Sequence, residues 1–120
     1  MRRGPEAAVA ALLLLQAAPA LAHAQLVDAS PRVGSSVAAS PSEIRLTFSE
    51  GVEPRLSGIE VTGEGGRRVR AARAGMPGQP TVLVARLSAP LPAGTYRVTW
   101  HVVSVDTHRT QGSFSFQVSP

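Results

Sequence analysis

Turn-forming residues interrupt this chain roughly every ten positions, which leaves no room between them for a long helix. "SPRVGSS", "ASPSE", "GEGGRR", "GMPGQP" and "APLPAG" all break regular structure. The segments between them are short and alternate with period two. In "EIRLTF", Ile44, Leu46 and Phe48 share one face, and Arg45 and Thr47 share the other. In "TYRVTWHV", Tyr96, Val98, Trp100 and Val102 alternate with Arg97, Thr99 and His101. In "SFSFQV", Phe114, Phe116 and Val118 alternate with Ser115 and Gln117. Successive side chains of a strand point to opposite faces, so each segment has a core side and a wet side. "QLVDA", "GIEVTG" and "TVLVARLSA" are further strand candidates. The pattern predicts an all-β domain of about seven strands, an immunoglobulin-like sandwich or Greek-key barrel. Trp100 is expected in its core and His101, opposite, in solvent.

The first 22 residues read differently. Arg2 and Arg3 precede the apolar run "AAVAALLLLQAAPALA", which ends in the small-x-small triplet Ala20-Leu21-Ala22. A basic start, a Leu/Ala middle and a small-residue end make a cleavable signal peptide. Residues 1–22 are therefore expected to be removed, leaving residues 23–120 as an exported domain that begins at His23. Ala22-His23-Ala24 has the same form, and a cut there would discard the histidine and start the chain at Gln25. An uncut chain would tether the domain to a membrane.

Composition removes several function classes. The chain has no cysteine, so thiolate metal sites and disulfides are excluded, and any metal must be held by His, carboxylate, backbone or thioether groups. All 12 basic residues are arginine. Four of them, Arg67, Arg68, Arg70 and Arg73, fall close together and read as the solvated edge of a strand or loop. Few aromatics are available for base stacking, and no nucleic-acid motif is present, so no nucleic-acid partner is assigned. No serine sits in a Gly-x-Ser-x-Gly elbow, and no glycine-rich loop opens a helix. Glu50 and Glu53 read as surface carboxylates. No catalytic residue and no substrate are assigned.

The chemistry-bearing residues are the histidines. Asp106 and His108, in "SVDTHRTQG", are two apart and share one side of an extended segment. A histidine at a free N-terminus adds two donors, its α-amine and its imidazole Nδ1, which together close a chelate ring. The amine's ordinary pKa near 8 lets a divalent ion displace its proton at neutral pH. His23, His108 and Asp106 would thus offer three nitrogens and one oxygen. In a tetragonal arrangement that set suits Cu(II), which also heads the first-row affinity order.

Two strings carry a resemblance to a known family. "LTFSEGVEP" and the tail "SVDTHRTQGSFSF" stand in the order and spacing of the CopC family of periplasmic copper-binding proteins, which nearly the whole of residues 23–120 resembles. The resemblance implies a small Greek-key β-barrel with one Cu(II) at one end, held by His23, Asp106 and His108. It implies a periplasmic or other extracytoplasmic location and an inner-membrane copper-transport partner of the CopD type. Glu50, in "FSEGVE", matches an acidic position of the family motif and is expected near the site, accepting from the amine or from an imidazole N–H.

The departures matter as well. Many relatives begin His-x-His, but here the third residue after the cut is Gln25. Many carry Asp-Gly-His-Pro, but here the run is Asp106-Thr107-His108-Arg109. Thr107 enters positive φ less readily than glycine. Some relatives hold Cu(I) in methionine clusters. Met76 alone remains after the cut, so no dedicated Cu(I) site is expected. Two other readings stand beside this one. Lytic polysaccharide monooxygenases also chelate copper with an N-terminal histidine, although this domain is short for them and poor in glycan-binding aromatics. A metal-free immunoglobulin-like module would follow if the mature chain began at Gln25.

Overall fold

The computed structural model describes residues 23–120. The expected signal segment, residues 1–22, lies outside the described residues. Nine strands form: β1 (Leu26–Ser30), β2 (Ser36–Val37), β3 (Glu43–Phe48), β4 (Gly58–Thr62), β5 (Arg68–Val69), β6 (Ala71–Met76), β7 (Gln79–Leu87), β8 (Gly94–Val103) and β9 (Arg109–Val118). Helical structure among the described residues is confined to two three-residue turns, Pro54–Leu56 and Glu64–Gly66. One sheet has the order β1-β3-β7-β6 and the other β2-β9-β8-β4-β5. The chain changes sheet five times, on either side of β2, between β3 and β4, between β5 and β6, and between β7 and β8. The all-β, two-sheet architecture expected from the alternation is therefore present. Two of the nine strands, β2 and β5, are only two residues long.

The core forms where the alternating faces meet. Ile44, Leu46 and Phe48 from β3 are buried, as are Tyr96, Val98, Trp100 and Val102 from β8 and Phe114, Phe116 and Val118 from β9. Two aromatic pairs anchor it. Phe48 meets Trp100 edge-to-face with ring centres 5.1 Å apart, and Tyr96 stacks on Phe116 at 5.7 Å. Such pairs add about 0.5–1.5 kcal/mol beyond the area they bury. Gly112 lies directly opposite Trp100 on β9, and a Cβ there would stand 2.7 Å from Trp100 Cζ2. The glycine makes room for the indole. In β7 the alternation breaks down: Val82, Leu83, Val84 and Ala85 are all buried. β7 lies between β3 and β6 within its sheet, and its buried Val84 stands directly opposite half-buried Arg45.

His101 departs from expectation. Its ring is half-buried, not solvent-exposed, and it lies over Gly58, its partner on β4. A Cβ on Gly58 would come within 2.6 Å of His101 Cε1. Burial lowers the imidazole pKa below 6.5, and Arg109 and Arg73 lower it further. As pH falls below 6.5 the unfolded chain takes up this proton first, so folding stability falls with it. Stability should thus rise with pH from the lowered folded value up to 6.5. Thermal melts across that window should show the rise, and His101→Gln should flatten part of it. Equal slopes in the two proteins would contradict the assignment.

Candidate metal centre

Three chain segments meet at one end of the sandwich. They are the start of the described chain, His23–Gln25, the segment after β3, Ser49–Glu53, and the β8–β9 loop, Ser104–His108. Backbone pairing ties the last two together. Val105 N–H donates to Gly51 O at 3.0 Å, Glu53 N–H donates to Val103 O at 2.8 Å, and Val52 bridges Ser104. The first segment is pinned just as closely. Gln25 N–H donates to Ser49 Oγ at 2.9 Å, and Ser49 N–H donates to Gln25 O at 2.8 Å. The Thr110 hydroxyl donates to Ala24 O at 2.7 Å, and the Ala24 methyl is fully buried. His23 is thereby held beside the β8–β9 loop although it is exposed. Ser49 and Thr110 were not singled out by sequence reasoning, because a serine and a threonine in strand-rich sequence carry no signal of their own.

The loop is built around Ser104. Its buried hydroxyl accepts from His108 N–H at 3.2 Å and donates to Asp106 Oδ1. Ser104 N–H donates to His108 O at 2.8 Å, and Thr107 N–H donates to Ser104 O at 2.8 Å. Thr107 sits at φ +72°, the one non-glycine residue with positive φ among those described. Asp106 and His108 are thus brought to the same side by a tight turn, not by the extended run that their spacing suggested. Asp106 Oδ1 lies 3.3 Å from His108 Nδ1. The Ser104 hydroxyl holds the Asp106 carboxyl below its usual pKa, with further help from His108. Asp106 is therefore ionised at neutral pH. The fold keeps that benefit above the ordinary carboxylate pKa and loses it as pH falls through the lowered value.

The rings of His23 and His108 lie 4.6 Å apart, centre to centre, at 79°. A metal stands about 2.0–2.1 Å from a ligating imidazole nitrogen, hence roughly 3.2 Å from the ring centre. Two imidazoles whose metal–nitrogen bonds meet at 90° would place their ring centres roughly 4.5 Å apart by that geometry. The observed separation fits two imidazoles on a shared ion. Among the described residues, no three His, Asp or Glu side chains form a complete ligand cluster. Glu50 is half-buried between Ser49 and Gly51 and makes no hydrogen bond or ion pair among the described residues. His101 stays on the outer face of β8. Met76 lines a separate apolar hollow with Val52, Pro54, Pro77, Pro80 and Val105.

A small two-sheet β domain with two imidazoles and a carboxylate at one end is the class that fold and site define. Residues 26–119 match the CopC domain model, and the chain belongs to the CopC family. It is 41% identical over 112 residues to copper resistance protein C of Pseudomonas syringae pv. tomato, covering 88% of this chain and 87% of that one. It superposes on the crystal structure of CopC from Methylosinus trichosporium OB3b with a TM-score of 0.78 at 38% identity, covering 82% of this chain and 95% of the other. Copper transport protein CutJ of Bacillus subtilis is 30% identical over 98 residues, which span 81% of this chain and 18% of that longer protein. A copper-related function and the β-barrel fold follow from this membership.

Proposed function

We propose that the mature protein starts at His23 and binds one Cu(II) per chain without catalysing a reaction. The His23 amine and imidazole, the His108 imidazole and the Asp106 carboxylate supply the donors. Glu50 serves as an acceptor for the amine or for an imidazole N–H. The observation that carries this reading is the close, nearly perpendicular approach of the His23 and His108 rings beside an ionised Asp106. Removal of residues 1–22 on export frees the amine and places the protein in the periplasm or another extracytoplasmic space. There it sequesters copper or passes it to an inner-membrane copper transporter of the CopD type. A copper transport protein that contains a stretch like this domain supports the second role. The site suits transfer because its ligands are exposed and one of them is a chain end. His23 is exposed ahead of the pinned Ala24 and Gln25, so its side chain can swing off while His108 and Asp106 still hold the ion.

Electron paramagnetic resonance during a Cu(II) titration tests the reading. One tetragonal signal with nitrogen couplings should saturate at one equivalent. His108→Ala should remove part of the nitrogen coupling. Asp106→Ala should weaken binding less, because three nitrogens remain. A signal that His108→Ala leaves unchanged would contradict the assignment.

A further inference from the structure

The outer face of the five-stranded sheet carries a feature that copper binding does not use. A shallow groove of about 360 Å³ runs along β8 and β9, with Arg97, Thr99, His101, Arg109, Gln111 and Ser113 along it. Every one of these side chains offers a hydrogen-bond donor in at least one protonation or rotamer state. No acidic side chain lines the groove. The nearest acid on this face, Glu60, is already bound to Arg68 at 2.6 Å. Arg97, Arg109 and the adjacent Arg73 form no ion pair among the described residues. Arg73 instead reaches Ser57 O at 2.6 Å. The field they create is felt locally, since Arg109 and Arg73 both disfavour the charged form of His101.

We propose that this groove docks an extended acidic segment of a partner protein and aims the metal end of the domain at that partner. The spacing is specific. Arg97 leans across to Ser113, donating to its hydroxyl at 2.7 Å, and Ser113 pairs with Thr99. Arg109 pairs with Val103. The Arg97 guanidinium thus lies at the level of the Thr99–Ser113 pair, four residues along β8, or roughly 13 Å of strand, from the Val103–Arg109 pair. An extended segment with carboxylates four residues apart presents both to one face and matches that separation. Thr99, His101, Gln111 and Ser113 line the stretch between. A protein segment suits this surface better than a membrane does. The exposed large apolar residues Val27, Val33, Leu56 and Val105 all lie outside the groove, so nothing along it would insert into a bilayer. Arg109 directly follows His108, so a partner held here sits beside the copper ligands. That purpose rests on the copper reading, whereas the docking itself does not.

The test uses copper-free exported protein, labelled for amide NMR. The probe is a ten-residue Thr/Val peptide with two glutamates four residues apart, at low salt. A control peptide carries the two glutamates side by side. Shift changes should concentrate on Arg97–His101 and Arg109–Ser113, and the control should bind more weakly. Arg97→Ser with Arg109→Ser should weaken binding at least fivefold. Arg67→Ser with Arg70→Ser, on the β5 edge two strands across from β8, should not. The same spectra report whether each variant is folded. Shifts centred on Arg67–Arg70, or a groove variant that binds as well as the parent, would overturn the proposal. So would phosphatidylglycerol vesicles that shift the groove amides and displace the peptide. A Cu(II) titration of the same sample separates the two ideas. Copper uptake without peptide binding sinks only the docking face. Peptide binding without copper uptake sinks only the metal reading.

Discussion

A single residue retained ahead of His23 should weaken Cu(II) binding by at least about 100-fold. Changing groups that merely orient a metal ligand typically costs 10–100-fold, so losing a ligand should cost at least the upper end of that range. Extension does more than remove one nitrogen. The amine and the imidazole of His23 belong to the same residue, so together they close a chelate ring that an amide cannot. The pH dependence offers a second handle. An α-amine with a pKa near 8 must lose its proton to bind, so affinity should climb about fivefold between pH 7 and 8. Groups that titrate below pH 7 add nothing to that slope. The extended protein should lose the slope together with the affinity. Competition against a chelator of known affinity, at both pH values, measures the two effects at once. An extended chain that matches the parent at both would mean that the amine is not a ligand.

Phe48→Ala should cost about 3–5 kcal/mol of folding stability. That is a large share of the ~5–15 kcal/mol a domain of this size has to lose. Phe48 is the last residue of β3 and packs edge-to-face on Trp100 at 5.1 Å. It also immediately precedes Ser49, which holds the segment after His23. Gly112→Ala crowds the same indole, pressing a methyl group to within 2.7 Å of Cζ2. Overpacking of that kind costs about 1–3 kcal/mol. The two changes should not add. With Phe48 shortened, the indole has space to retreat from the methyl group added at position 112. The double variant should therefore be more stable than the sum of the singles predicts. Urea denaturation of the four proteins measures the coupling. Strict additivity would show that Trp100 does not link the two positions.

Where one face of a strand is apolar and the other polar, as in β3, β8 and β9, the sequence alone revealed both the strand and its orientation. β6 was not legible because "AARAGM" is built mostly from Ala, Arg and Gly, which have little strand preference and do not alternate. It exists as an edge strand because β7 supplies its hydrogen bonds. The half-burial of His101 depends on register: only the pairing with β4 reveals that a glycine stands opposite it. The site divides along similar lines. His23, Asp106 and His108 stood out by residue type and motif, and the fold brings them to one end. Ser104, Ser49 and Thr110 did not stand out, although their hydroxyl groups set the loop and hold the chain start. Ser104 and Gly112 both belong to the family tail, and each now has a physical reason for its position. One shapes the turn, and the other makes room for the indole.

Export is proposed to expose the His23 amine, which then joins the His108 imidazole and the Asp106 carboxylate around one Cu(II). Intact mass and bound copper, measured on the same protein recovered from its native export route, test this most directly. The expected result is a chain starting at His23 that retains one copper per molecule. A chain starting at Gln25, or one that starts at His23 and takes up no stoichiometric copper, would contradict it.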